Sequence, residues 1–287
     1  MKINKACYNV VNLLVVVCTA LLFLYEYHDV KEIFYGLDIC HVGIITVAAF
    51  FVHLIKASRL YLAFYGSDIN VCNYIKTYCK VTPVSVIFPF KMGEFFRMYC
   101  YGEQLCNSVK SIVTVILDRF MDTMALVTIV FGVRVFAGGE LSAISCILMI
   151  FELFVALIFL VFPGIYRFWK KYILAAKASK NKLIVLKILN ILNNVYEEVV
   201  NVTEGRGIIL YFMSLMAWIA EIGSITLLKK SPMDENLGTS IANYLIAAMG
   251  GELSPELKQF IFISVVMMVI LYVFIKIDEI TSRKKDV

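Results

Sequence analysis

Charge is scarce in this chain. Lysine, arginine, aspartate and glutamate make up 17% of its 287 residues, against about 25% in soluble domains, and that deficit excludes a fold wetted over most of its surface. The eight cysteines, at positions 7, 18, 40, 72, 79, 100, 106 and 146, form no C-x-x-C pair. They read as small apolar side chains rather than a zinc or disulfide framework. Histidine occurs three times, and His28, His41 and His53 are too far apart in sequence to form a metal site on their own. There is no G-x-S-x-G, no H-E-x-x-H and no P-loop, and residues 163–206 hold no Asp, His or Cys, so the ordinary hydrolytic and nucleotide-binding constellations are missing. No small-x-small cleavage pattern follows the first apolar run, which is therefore expected to remain as a span rather than leave as a signal peptide.

What the chain does have is apolar length. Its residues are 61% hydrophobic, with a mean hydropathy of +0.82, and they gather into runs long enough to cross roughly 30 Å of hydrocarbon as helix. Six such runs cover 8–25, 40–55, 111–136, 141–162, 207–228 and 257–277. The expected fold is all-α, a polytopic membrane bundle of about six spans forming one integral membrane domain over 1–287.

Two further segments, 71–99 and 237–255, are apolar but interrupted, the first by Pro83, Pro89 and Gly93, the second by Gly250, Gly251 and Pro255. Broken backbone survives at membrane depth only where protein or a polar cavity satisfies the freed amides, so both are expected to be re-entrant or discontinuous helices. Close helix packing accounts for the paired glycines almost as well. Residues 1–7, 56–110, 163–206 and 276–287 hold 2, 7, 8 and 4 lysines and arginines, which puts both termini in the cytoplasm by the positive-inside rule. Each half, 1–136 and 137–287, then has three spans and one broken helix. Three spans per half imply an inverted repeat, unless the division arises by chance. Within 163–206, residues 182–201 set Ile184, Ile188, Ile191, Val195 and Val199 against Lys187, Asn190, Asn194 and Glu198. That amphipathic helix suits the cytoplasmic membrane surface, or alternatively a partner protein. The net charge of +5 is carried beside the spans, which favours anionic lipid over nucleic acid as the partner.

Charged side chains inside apolar runs cost roughly 2.5–3.5 kcal/mol each to insert and are retained for a reason. Lys91, Glu94 and Arg97 lie in PFKMGEFFR, Asp118, Arg119 and Asp122 in ILDRFMD, and Glu221 in AWIAEIG. A helix restarting at Gly93 would offer free N–H groups and a favourable dipole to a phosphate, with Lys91, Arg97 and Arg119 adding charge-assisted hydrogen bonds. The alternative is that Glu94 caps that helix and pairs with Arg97 at i, i+3. Asp118 and Asp122, one turn apart, could hold Arg97 or Lys91 for transport, or form a structural salt bridge that fixes helix packing. Glu221 could carry a proton, pair with a basic residue of the first half, or sit idle near the interface.

The stretch from Lys56 to Gly132 resembles the transmembrane region of the lysylphosphatidylglycerol synthase family, also called flippase-like membrane proteins. The resemblance is carried by Arg59, then Pro89, Lys91, Gly93, Glu94 and Arg97, then Ser111, Asp118, Arg119 and Asp122. In the second half MGGELSPE approximates the family's Gly-rich break through Gly250, Gly251 and Glu252, without the preceding proline. Membership implies a domain that moves a charged phospholipid between leaflets, here as a stand-alone member without the aminoacyl-transferase domain. No cofactor is expected. The expected activity is a transporter or flippase for a phosphate-bearing lipid, either a phospholipid or a polyisoprenyl-linked lipid, in the cytoplasmic membrane of a bacterium. A membrane-embedded transferase on a lipid-linked substrate, or an accessory subunit of a lipid or glycan enzyme, are the alternatives. Besides the lipid, a second copy of the chain or a lipid-modifying enzyme is the partner those readings call for.

Overall fold

Apolar runs separated by short polar turns become helices packed side by side, since in hydrocarbon the helix satisfies every backbone group within one segment. The computed structural model describes residues 5–28, 39–67, 69–88, 92–137, 143–175, 179–228 and 255–285. Within them it forms α1 (Lys5–Glu26), α2 (Ile39–Ala63), α3 (Val71–Ile87), α4 (Gly93–Leu105), α5 (Ser108–Ala137), α6 (Ala143–Ala175), α7 (Lys180–Thr203), α8 (Gly207–Leu228) and α9 (Pro255–Lys285). The described residues are thus all-helical, as a polytopic membrane bundle requires. Among the described residues, four helical stretches are long and apolar enough to cross a membrane: 39–63, 146–175, 207–225 and 257–281. The 30-residue α5 reaches about 45 Å but carries Asp118, Arg119 and Asp122 inside it.

The centre of the bundle is built from α2, α5, α8 and α9. Ile45, Ala49 and Val52 recur along one face of α2 and pack on Leu126 and Val130 of α5, Ile222 and Ile225 of α8, and Phe260 and Ile263 of α9. The outer helix α6 behaves oppositely. It leaves large side chains such as Leu160 exposed, at 74%, an arrangement that water would oppose and acyl chains accept.

Residues 71–99 do form a broken helix, with the interruption between Phe88 and Met92. Its arms span about 26 Å and about 20 Å, less than the hydrocarbon thickness of roughly 30 Å. They run antiparallel. Gly93 lies against Val84 and Ser85, Phe96 and Cys100 lie beside Lys80, and Tyr101 stacks on Tyr74 with ring centroids 5.8 Å apart. The segment therefore returns to the side from which it came, as a re-entrant hairpin must. Tyr74 ties it to α2 by donating to the Ala57 carbonyl (2.6 Å), and Ser111 ties it to α5 by donating to the Met98 carbonyl (2.7 Å).

Pro83 is not a break. It is buried inside the continuous α3, since proline costs a helix one backbone hydrogen bond and membrane helices tolerate that where neighbouring elements pack closely around the site. Pro163 likewise lies inside α6, which runs on to Ala175, so the helix extends well beyond residue 162. Span 40–55 also proves too short, as α2 continues for two more turns through Lys56 and Arg59. Pro255 opens α9, where its fixed φ and missing N–H suit a first turn. Pro89, Lys91, Gly250 and Gly251, with the rest of 237–254, lie outside the described residues. The amphipathic run falls on α7, whose Ile184, Ile188 and Ile191 are exposed while Val199 packs against the bundle.

Gly93 fixes the hairpin. A Cβ there would meet Ser85 Cα and the Val84 carbonyl oxygen at 2.4 Å, both of them backbone atoms. Gly93→Ala should therefore pry α3 from α4 and cost about 2 kcal/mol or more, read as a fall of several degrees in thermal unfolding midpoint in detergent.

Candidate functional site

Helix spacing assembles the polar centre. Lys56 and Arg59 lie three residues apart on α2, Asp118 and Asp122 four apart on α5, and Glu94 and Arg97 three apart on α4, so each pair shares a face. Arg59 is 1% exposed and is the most fully bonded of the set. Its Nε donates to Asp118 Oδ1 (2.7 Å), and its Nη1 donates to Asp122 Oδ1 and to Ser214 Oγ (2.8 Å). Ser214 passes its own hydroxyl proton to the Leu210 carbonyl (3.0 Å). A guanidinium presents five N–H donors in a fixed fork, and here that fork joins α2, α5 and α8.

Arg119 lies on the open side of the same carboxylates. It contacts Asp118 Oδ2 at 3.0 Å, Asp122 Oδ2 at 3.4 Å and Glu94 Oε2 at 3.6 Å, with its side chain 32% exposed. Arg97 reaches Glu94 Oε2 at 3.2 Å from within the protein. The hairpin and α5 therefore meet through one acid held between two arginines. Three guanidinium groups face three carboxylates, and the formal charge of the six is zero. Glu221 sits alongside, paired with Lys56. Trp218 connects the two groups, since its Nε1 donates to the Asp122 carbonyl (3.1 Å) and Lys56 Nζ lies 5.6 Å from its ring centroid.

The structure thus gathers Glu94, Arg97, Asp118, Arg119 and Asp122 into one network, with Glu221 beside it. Gly93 serves the hairpin contact described above. Both readings of Glu94 hold in part, as it pairs with Arg97 at i, i+3 and also reaches Arg119. The cation held by Asp118 and Asp122 is Arg59, not Arg97 or Lys91 as the sequence suggested. Arg59 and its partner Ser214 had no assigned role in the sequence reading. The usable signal was the spacing from Lys56 to Arg59, two cations on one helical face.

Hydrogen-bond alignment divides the arginines. Among the described residues, Arg97 Nε and Nη1, Arg119 Nε and Glu94 Oε2 are buried atoms without a hydrogen-bond partner, although the charges lie close together. A buried polar group left in that state costs about 1–3 kcal/mol. Around Glu94 the network is charge-balanced but not bonded to completion, whereas around Arg59 only Nη2 is left over.

Residues 9–275 match the family model of the lysylphosphatidylglycerol synthase TM region. The chain belongs to this family. The match covers the re-entrant hairpin, the arginine–carboxylate network and the central spans together, and it identifies an integral membrane protein. No curated protein and no solved structure matches the chain. No group of three or more His, Cys, Asp or Glu side chains suited to a metal ion occurs among the described residues.

Removing Arg59 would leave Asp118 and Asp122 buried without their principal cation. Arg59→Gln should cost about 3–5 kcal/mol, whereas Arg119→Gln, partly exposed, should cost less than half as much. Chemical unfolding of the two variants in the same detergent measures the difference, and equal losses would contradict the division between a bonded and an open arginine.

Proposed function

We propose that the chain is a lipid transporter of the flippase type, and that Arg97 and Arg119 meet the phosphate of a lipid headgroup beside the re-entrant hairpin. The observation that carries this reading is the set of unaligned donors on Arg97 and Arg119 around Glu94. A phosphate supplies acceptor oxygens that satisfy such donors with strong charge-assisted bonds. Family membership supports a role in membrane lipid metabolism of the flippase kind, with phospholipids and polyisoprenyl-linked lipids sharing the required phosphate.

The residues divide the work. Arg119, partly exposed, is the first cation an entering phosphate reaches, and Arg97 lies behind Glu94. Because the network carries no formal charge, the anion must exchange with a carboxylate for the arginines rather than fill an uncompensated positive site. Glu94 is the acid to be displaced, since its Oε2 contacts both arginines without an aligned hydrogen bond. Arg59, Asp118 and Asp122 hold the frame during that exchange. The distribution of lysine and arginine supports cytoplasmic termini and a bacterial cytoplasmic membrane as the setting.

Reconstitution into vesicles carrying fluorescent or isotopically labelled lipids tests the proposal. Wild-type protein is expected to speed transfer between leaflets for one phosphate-bearing class, and Arg97→Ala with Arg119→Ala to slow it by about tenfold or more, the loss of one charge-assisted contact. Equal rates for wild type and a folded double variant, across phospholipids and polyisoprenyl phosphates, would overturn it.

A further inference from the structure

A second polar feature lies apart from the arginine network. Between α1, α3 and α9 there is a cavity of about 540 Å³. Three lysines line it, Lys76 and Lys80 from α3 and Lys276 from α9, together with Asn12 of α1 and Tyr272 of α9. α4 separates the two features: Phe96 and Cys100 lie on the cavity side, by Lys80, whereas Glu94 and Arg97 turn to the network.

The lysines are built in rather than lying loose on the surface. Lys80 Nζ donates to Asn12 Oδ1 (2.6 Å) and sits 5.2 Å from the Phe96 ring centroid. Lys76 pairs with Glu279, and Lys276 Nζ lies 4.0 Å from the same carboxylate. Among the described residues here, three ammonium groups face one carboxylate, an excess of two positive charges. Like charges gathered between membrane helices repel one another through a medium that screens poorly, so the arrangement favours an anion among them.

One wall says what kind of anion fits. Leu13 and Val16 of α1 also line the cavity, and Leu13 is 68% exposed on the outside of the bundle. The cationic space therefore opens along an apolar surface suited to acyl chains. Basic pockets between membrane helices hold anionic headgroups in this way.

We propose that this cavity is a second anion site, which holds the phosphate of an anionic membrane phospholipid whose acyl chains lie along Leu13 and Val16. It stands independently of lipid transfer, because occupancy of the cavity requires no movement between leaflets.

Native mass spectrometry of the full chain, titrated with phosphatidylglycerol or with phosphatidylcholine of the same acyl composition, tests it. The expected result is tighter retention of phosphatidylglycerol. Each lysine charge is worth about fivefold in affinity, so Lys80→Gln with Lys276→Gln should weaken phosphatidylglycerol by about twentyfold and leave phosphatidylcholine unchanged. The same loss should appear in an Arg97→Ala, Arg119→Ala background, which separates this cavity from the network. Should the double lysine variant fold poorly, Lys276→Glu alone, on a side chain 45% exposed, should still weaken phosphatidylglycerol. Excess inorganic phosphate at matched ionic strength should leave the lipid bound. Unchanged phosphatidylglycerol affinity in the lysine variants, no preference over phosphatidylcholine, or displacement by inorganic phosphate would each overturn the proposal.

Discussion

A guanidinium enclosed among membrane helices must find its counter-charge inside the protein, and the bundle is organised around that requirement at Arg59. Water could solvate the group for little cost, and hydrocarbon cannot solvate it at all. Asp118, Asp122 and Ser214 supply the acceptors from two other helices. The apolar contacts of Ile45, Ala49 and Val52 bring the same helices together further along, but such contacts tolerate sliding. The fork of Arg59 does not, since its donors match acceptors at one relative position of α2, α5 and α8. Polar bonding sets the register, and apolar packing fills the space.

The re-entrant hairpin depends on that register. Glu94 and Arg97 reach Arg119 only because α4 folds back on α3, and it folds back closely because residue 93 has no side chain. The missing Cβ of Gly93 and the acidic side chain next to it thus act in sequence: one allows the approach, the other uses it. Near Glu94 the bonding is left incomplete where near Arg59 it is nearly full, and incomplete bonding is what a site that receives and releases a ligand requires. A saturated network would resist exchange.

Much of this was legible in the sequence, and the failures share a physical cause. Span 207–228 coincides with α8, and the break in 71–99 falls near Pro89 and Gly93. The charged residues of PFKMGEFFR and ILDRFMD were singled out correctly as a group, because intramembrane charge is conspicuous against its neighbours. The errors came from treating charge and proline as boundaries. Lys56 appeared to end a span, yet α2 continues because Lys56 and Arg59 are neutralised by Glu221, Asp118 and Asp122 from helices far away in sequence. Pro83 and Pro163 appeared to be stops, yet both sit within helices. Hydropathy reads each residue against lipid, whereas these residues face other protein.

The balance of three arginines against three carboxylates has an electrical consequence. A membrane voltage does work of roughly 2.3 kcal/mol per 100 mV on each elementary charge carried across it, but a displaced assembly with no net charge carries none. Rocking of the hairpin together with its counter-ions would be electrically silent. Any current accompanying this protein would then report the valence of the cargo, or of a proton travelling with it, and not gating charge in the helices themselves.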